Sequence, residues 1–89
     1  MASIVKEGKL LKPIAYVLIN AEPKRIEEVA KEIRKIKGVV EASKSYGPYN
    51  IVAKIQAENM DQLKEIVASQ IRRMESVRST ATMIVIEGP

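Results

Sequence analysis

The residues best equipped for chemistry in this 89-residue chain fall in two places. The first is the stretch Tyr46-Gly47-Pro48-Tyr49-Asn50, which sets two of the three tyrosines around a Gly-Pro turn. A tyrosine offers a flat apolar body with a hydroxyl at its tip. The Asn50 amide can donate to a carboxylate and accept from an ammonium group, and Gly47 lets a backbone approach closely. The second is Arg78-x-Thr80-x-Thr82, whose alternation puts a guanidinium and two hydroxyls on one face of a strand. Such a face can hold a ligand's polar head, with Arg78 pairing a carboxylate. Both sets also have a plainer reading. The tyrosines pack on the end of a sheet with their hydroxyls in water, the threonines serve β-propensity, and Arg78 is a surface arginine.

Other chemistries lack their residues. The chain has no Cys and no His, which removes disulfides, thiolate and imidazole metal sites, and the usual nucleophile–base pairs. No Gly-rich phosphate loop is present. An RNA-recognition sheet needs aromatics on its central strands for base stacking, and the third strand offers only Tyr49 at its start. We therefore expect a binder without catalytic residues, cofactor or metal.

Size and charge set further bounds. A chain of 89 residues makes one small domain whose core is limited, and association is a common supplement. With 46% hydrophobic and 29% charged residues it reads as globular rather than disordered. The net charge of +4 raises the possibility of nucleic acid. Acids and bases are interleaved, however, so a mixed surface of thermophilic character is the simpler expectation, with no direct nucleic-acid contact. The run Ile14 to Ile19 is too short to span a bilayer, and "MASIVKEGKLLKP" carries charges where a signal peptide needs an apolar stretch. The expected location is the cytoplasm.

These residues need elements to position them. Residues 1–13 read as an N-terminal arm and 14–89 as the domain proper, with "IVKEGKLL" as a possible extra edge strand. "IAYVLINA" is a strand apolar on both faces: Ile14, Tyr16 and Leu18 on one, Ala15, Val17 and Ile19 on the other. Pro23 opens a helix whose stripe is Ile26, Val29, Ala30, Ile33 and Ile36, with Gly38 beyond its end. "VVEASKSY" and "YNIVAKIQA" form a hairpin across the Gly-Pro turn. Asn59 caps a second helix, Gln62 completes the box, and Met60, Leu63, Ile66, Val67, Ile71 and Met74 make the stripe. "SVRSTATMIVIE" is the last strand.

The order βαββαβ predicts an α+β, ferredoxin-like sandwich: a four-stranded antiparallel sheet with both helices on one face. Helices cover one face only, yet the first strand is apolar on both. A second copy laid sheet to sheet is the simplest cover, giving a homodimer of the dimeric α+β-barrel kind.

The sequence from "GVVEASKSYGPYNIVAKI" to "VRSTATMIVI" resembles the effector domain of the Lrp/AsnC transcription regulators, the RAM module. The resemblance spans roughly residues 14–87. It rests on a turn of G-x-Y-D type, here Gly47-Pro48-Tyr49-Asn50, and on a V-x-x-T-x-T-x-I-V run, here Val77 to Val85. Asn50 stands where the family usually has Asp, so a carboxylate that could hold a ligand's ammonium group is gone. The family's helix-turn-helix is not evident, which makes the chain similar to a stand-alone module. The resemblance implies sheet-to-sheet dimers that assemble into rings of eight or ten chains. It also implies small effectors, usually amino acids, held in clefts between dimers, and allows mixing with full-length relatives. On that footing Tyr46, Gly47, Pro48, Tyr49, Asn50, Arg78, Thr80 and Thr82 are the expected ligand-binding residues. The alternatives are a dimeric α+β-barrel enzyme and a ligand-free scaffold or ACT-like regulatory module.

Overall fold

A computed structural model describes residues 12–85. The expectations for the N-terminal arm before residue 12 and for residues 86–89 lie outside the described residues. Four strands form one antiparallel sheet: β1 (Ile14–Ala21), β2 (Val39–Lys44), β3 (Ile51–Gln56) and β4 (Val77–Ile84), in the order β2-β3-β1-β4. Two helical segments connect them, α1 (Ile26–Arg34) and α2 (Met60–Glu65). This is the ferredoxin-like sandwich that the pattern predicts.

The alternation of β1 decides the layers. Ala15, Val17, Ile19 and Ala21 are all 0% exposed, while Ile14, Tyr16, Leu18 and Asn20 between them are half-buried. The first set meets the helices, together with Ile51, Ala53 and Ile55 from β3. Val29, Ala30 and Ile33 of α1 and Leu63, Ile66, Val67 and Ile71 beyond β3 close the core. Each fully buried leucine or isoleucine stabilises the fold by roughly 1.5–3 kcal/mol through lost apolar exposure.

The turns follow from named residues. Pro23 starts a short 3-10 turn, Pro23–Arg25, before α1 proper begins at Ile26. Gly38 ends the helical connection with φ +103°. A Cβ at this position would lie 2.9 Å from Ile66 Cδ1 and 3.2 Å from the Gln56 carbonyl, so a glycine is required twice over. Asn59 accepts from the Gln62 amide at 2.8 Å. The Gln62 side chain reaches back to the Glu58 amide at 2.7 Å, one residue earlier than a standard capping box.

The second helix departs from the expected continuous α-helix. After Glu65 it widens into a π-helical stretch, Ile66–Ile71, and the Arg72 amide donates to the Val67 carbonyl at 2.9 Å. The cause lies in the apolar spacing. Ile66 and Ile71 are five residues apart, and at α-helical rotation they would point about 140° away from each other. The wider turn brings Ile66, Val67 and Ile71 into the core together, all buried. Met60, expected in the same stripe, is exposed instead.

Candidate functional site

The β2–β3 turn is built by short local bonds. The Ser45 amide donates to the Asn50 carbonyl at 2.9 Å, and Ser45 Oγ donates to the Tyr49 carbonyl at 2.9 Å. Between them Gly47 holds φ +114° with nothing within 4 Å of where a Cβ would sit. Tyr46 is wholly exposed and Tyr49 partly so. The turn thus stands out from the end of the sheet, with Tyr46, Gly47 and Pro48 open to solvent.

Asn50 does something the sequence did not announce. Its backbone amide donates to the Ile19 carbonyl at 2.9 Å. Its Oδ1 accepts from the Ala21 amide and its Nδ2 donates to the Ala21 carbonyl, both at 2.9 Å. The side chain mimics one more rung of the ladder between β3 and β1, just past the point where backbone pairing ends at Ile51 and Ile19. Asn50 is therefore a positioning residue that pins the base of the turn.

Arg78, Thr80 and Thr82 lie across the sheet from that turn, on its outermost strand. Thr80 pairs with Ile19 and Thr82 with Val17, so both threonines share the helix-facing side. The register of β4 slips between Asn20 and Ala21: Ser79 opposes Asn20 while Val77 opposes Ala21, leaving Arg78 as the extra residue of a bulge. Arg78, Ser79 and Thr80 wall a cavity of about 290 Å³, closed on its other side by Arg72. Arg72 also borders a second cavity of about 260 Å³, lined by Val67, Ala68, Thr82 and Ile84. Arg72 is a residue that pattern reading missed. The signal that could have found it is the five-residue spacing of Ile66 and Ile71, which forces the π turn.

The two halves of the expected site do not meet within one chain. Ile51, at the foot of the turn, is separated from Thr80 by β1, a distance of two strand spacings or on the order of 10 Å. They share one end of the sheet but not one cavity. A larger cavity, about 570 Å³, lies at the other end, between Ile14, Met60 and Val85. It carries one ion pair, Lys12 with Glu58 at 3.1 Å, and no other charged lining residue. Among the described residues no group of three or more Cys, Asp or Glu stands ready to hold a metal.

The face of the sheet away from the helices is also exposed. Leu18 lies between Val52 and Ala81, and Tyr16 lies between Lys54 and Met83. The Lys54 ammonium sits 6.0 Å from the Tyr16 ring centre. Met83 is 53% exposed and Val85 46%. The apolar band runs along β1 and β4, and Glu41 and Ser43 give β2 a polar margin.

The Lrp/AsnC ligand binding domain matches residues 14–89. The chain belongs to the Lrp/AsnC family. An HTH-type transcriptional regulator of Pyrococcus furiosus is 36% identical over 73 residues, covering 79% of this chain and 49% of the regulator. The chain thus spans about half the length of that Lrp/AsnC relative. A solved protein of Thermus thermophilus superposes with a TM-score of 0.82 at 26% identity, over 86% of this chain and 96% of its own. A Neisseria meningitidis transcriptional regulator, solved as a complex with L-Met, has a similar fold. Its TM-score is 0.78 at 16% identity, over 98% of this chain and 58% of that one. No helix among the described residues is long and apolar enough to cross a membrane.

Proposed function

We propose that this Lrp/AsnC domain is a non-enzymatic effector module of transcriptional or metabolic regulation in the cytoplasm. Two chains pair through the outer sheet face, and dimers assemble further into a ring of eight or ten chains. A small molecule of the amino-acid class binds where the Tyr46–Asn50 turn of one chain meets the Arg78–Thr80–Thr82 edge of another. The observation that carries this reading is the separation of those two sets. One chain presents a solvent-projecting turn without a cavity and, two strands away, a polar cavity without a lid. A neighbour's turn supplies what the β4 edge lacks.

The sheet face supports the same assembly. Tyr16, Leu18, Met83 and Val52 form an apolar band on an otherwise charged small domain, and a second copy covers it with the same band. The L-Met complex of the Neisseria regulator supports the ligand class. The mechanism is linkage: a ligand held between dimers favours the assembly that contains its site. Mixed assemblies with full-length regulators of the family would carry the signal onward.

The test is substitution on both halves. Tyr49→Ala on the turn and Thr80→Val on the edge should each weaken effector binding at least fivefold in calorimetry, and mixing the two variants should restore a fraction of intact sites. Binding that survives both substitutions would refute the shared site.

A further inference from the structure

The cavities under the edge of β4 have an unusual charge. Arg72 and Arg78 face one of them, and Arg72 and Lys64 border the other. No lining residue of either is acidic. The ion pairs among the described residues join Lys12 to Glu58, Arg25 to Glu28, Lys35 to Glu32 and Lys44 to Glu27. Neither Arg72 nor Arg78 has a carboxylate partner among the described residues. The polar cavity leads past Arg72 to an apolar one walled by Val67, Ala68 and Ile84.

Arg72 and Arg78 are both exposed, and two local irregularities bring them to the same edge of the sheet. Arg72 leaves the helix directly after the π-helical stretch, a rare geometry that recurs at functional sites. One residue of extra rotation, about 100°, turns its side chain to the β4 edge. Arg78 arrives by the β4 bulge, a second local irregularity at the same place.

An α-amino acid carries an ammonium group beside its carboxylate, and although a neutral oxygen can accept from that group, it is held most strongly by an acceptor with negative charge. The cavities have none. The turn that would close them has none either: Tyr46, Gly47, Pro48 and Tyr49 are uncharged, and the Asn50 amide is paired with both backbone groups of Ala21. An ammonium placed between two guanidinium groups is repelled rather than held.

We infer that the trough under β4 takes a carboxylate with a short apolar chain and no ammonium group, a 2-oxo acid in preference to its α-amino acid. Arg72 and Arg78 hold the carboxylate, for which the guanidinium fork is shaped. The hydroxyl of Thr80, on the helix-facing side, donates to the 2-oxo group, and the chain lies against Val67 and Ile84. The inference rests on the effector reading above and replaces its amino-acid ligand with the corresponding 2-oxo acid.

The experiment is calorimetric titration of the protein at fixed ionic strength with three matched pairs: pyruvate and L-alanine, 4-methyl-2-oxopentanoate and L-leucine, 2-oxoglutarate and L-glutamate. At least one 2-oxo acid should bind at least tenfold tighter than its amino acid. Arg72→Gln and Arg78→Gln should each weaken it fivefold or more at unchanged unfolding temperature, with Arg72→Lys intermediate. Tighter or equal binding of the amino acids overturns this inference and leaves the effector reading standing. A 2-oxo acid preference that ignores both arginine variants overturns the assignment of the site. No binding of any probe overturns the inference and the effector reading together.

Discussion

The side-chain amide of Asn50 pairs with both backbone groups of Ala21, each at 2.9 Å, across 29 residues of sequence. This contact joins the foot of the β2–β3 turn to the last residue of β1, where backbone pairing between β3 and β1 has already stopped. Asn50→Ala should cost about 1–3 kcal/mol, since it leaves two part-buried backbone groups without their partner. Asn50→Asp keeps the acceptor for the Ala21 amide but sets a carboxylate oxygen against the Ala21 carbonyl, so it should also destabilise. Urea unfolding midpoints of the two variants check both outcomes.

Two glycines with positive φ should respond differently to alanine. At Gly47 (φ +114°) the space is empty, so alanine costs only backbone strain, about 1–2 kcal/mol. At Gly38 (φ +103°) the same strain is joined by a 2.9 Å approach to Ile66 Cδ1 and a 3.2 Å approach to the Gln56 carbonyl. Gly38→Ala should therefore lose about 3–4 kcal/mol in the same unfolding assay. Equal losses at the two positions would mean that packing around Gly38 yields freely.

Glu27 on α1 pairs with Lys44 at the end of β2. The hydrogen bond and charge of Lys44 hold the Glu27 carboxyl below the ordinary carboxylate range. A depressed folded-state value stabilises at pH above the unfolded carboxyl value, and the gain is lost as pH falls through the folded one. Lys44→Gln should flatten the acid limb of the stability profile slightly, because both partners are exposed. The difference between wild type and variant should vanish in 1 M salt, where screening acts within about 3 Å.

Much of this architecture was legible in the sequence because it depends on near neighbours. The alternation from Ile14 to Ala21 marks the two faces of β1, and Asn59 with Gln62 marks the start of α2. Gly38 stands where the chain leaves the first helix with positive φ. What escaped depends on partners far along the chain or on departures from the ideal period. Asn50 read as a ligand contact because nothing near it in sequence points to Ala21. The π stretch hides in a stripe that looks α-helical until Ile66 and Ile71 are compared. Arg72 went unnoticed for the same reason. The pairing of Thr80 with Ile19 and Thr82 with Val17 shows why the two hydroxyls share a side.

The outer face of the sheet gives a prediction of its own. Leu18, between Val52 and Ala81, sits in the middle of the apolar band. Leu18→Glu should leave the fold intact, since the core lies on the other side of β1. It should abolish self-association by placing a charge in a face that must be dry when covered. Circular dichroism should show native secondary structure, while sedimentation should report the 9.9 kDa of one chain.

The most direct measurement of the central claim is the mass of the wild-type protein by multi-angle light scattering, alone and with each effector probe. The account predicts an assembly of several dimers whose size or dilution stability increases with the molecule that fills the β4 trough. A single-chain species, or a plain dimer indifferent to every probe, would contradict it.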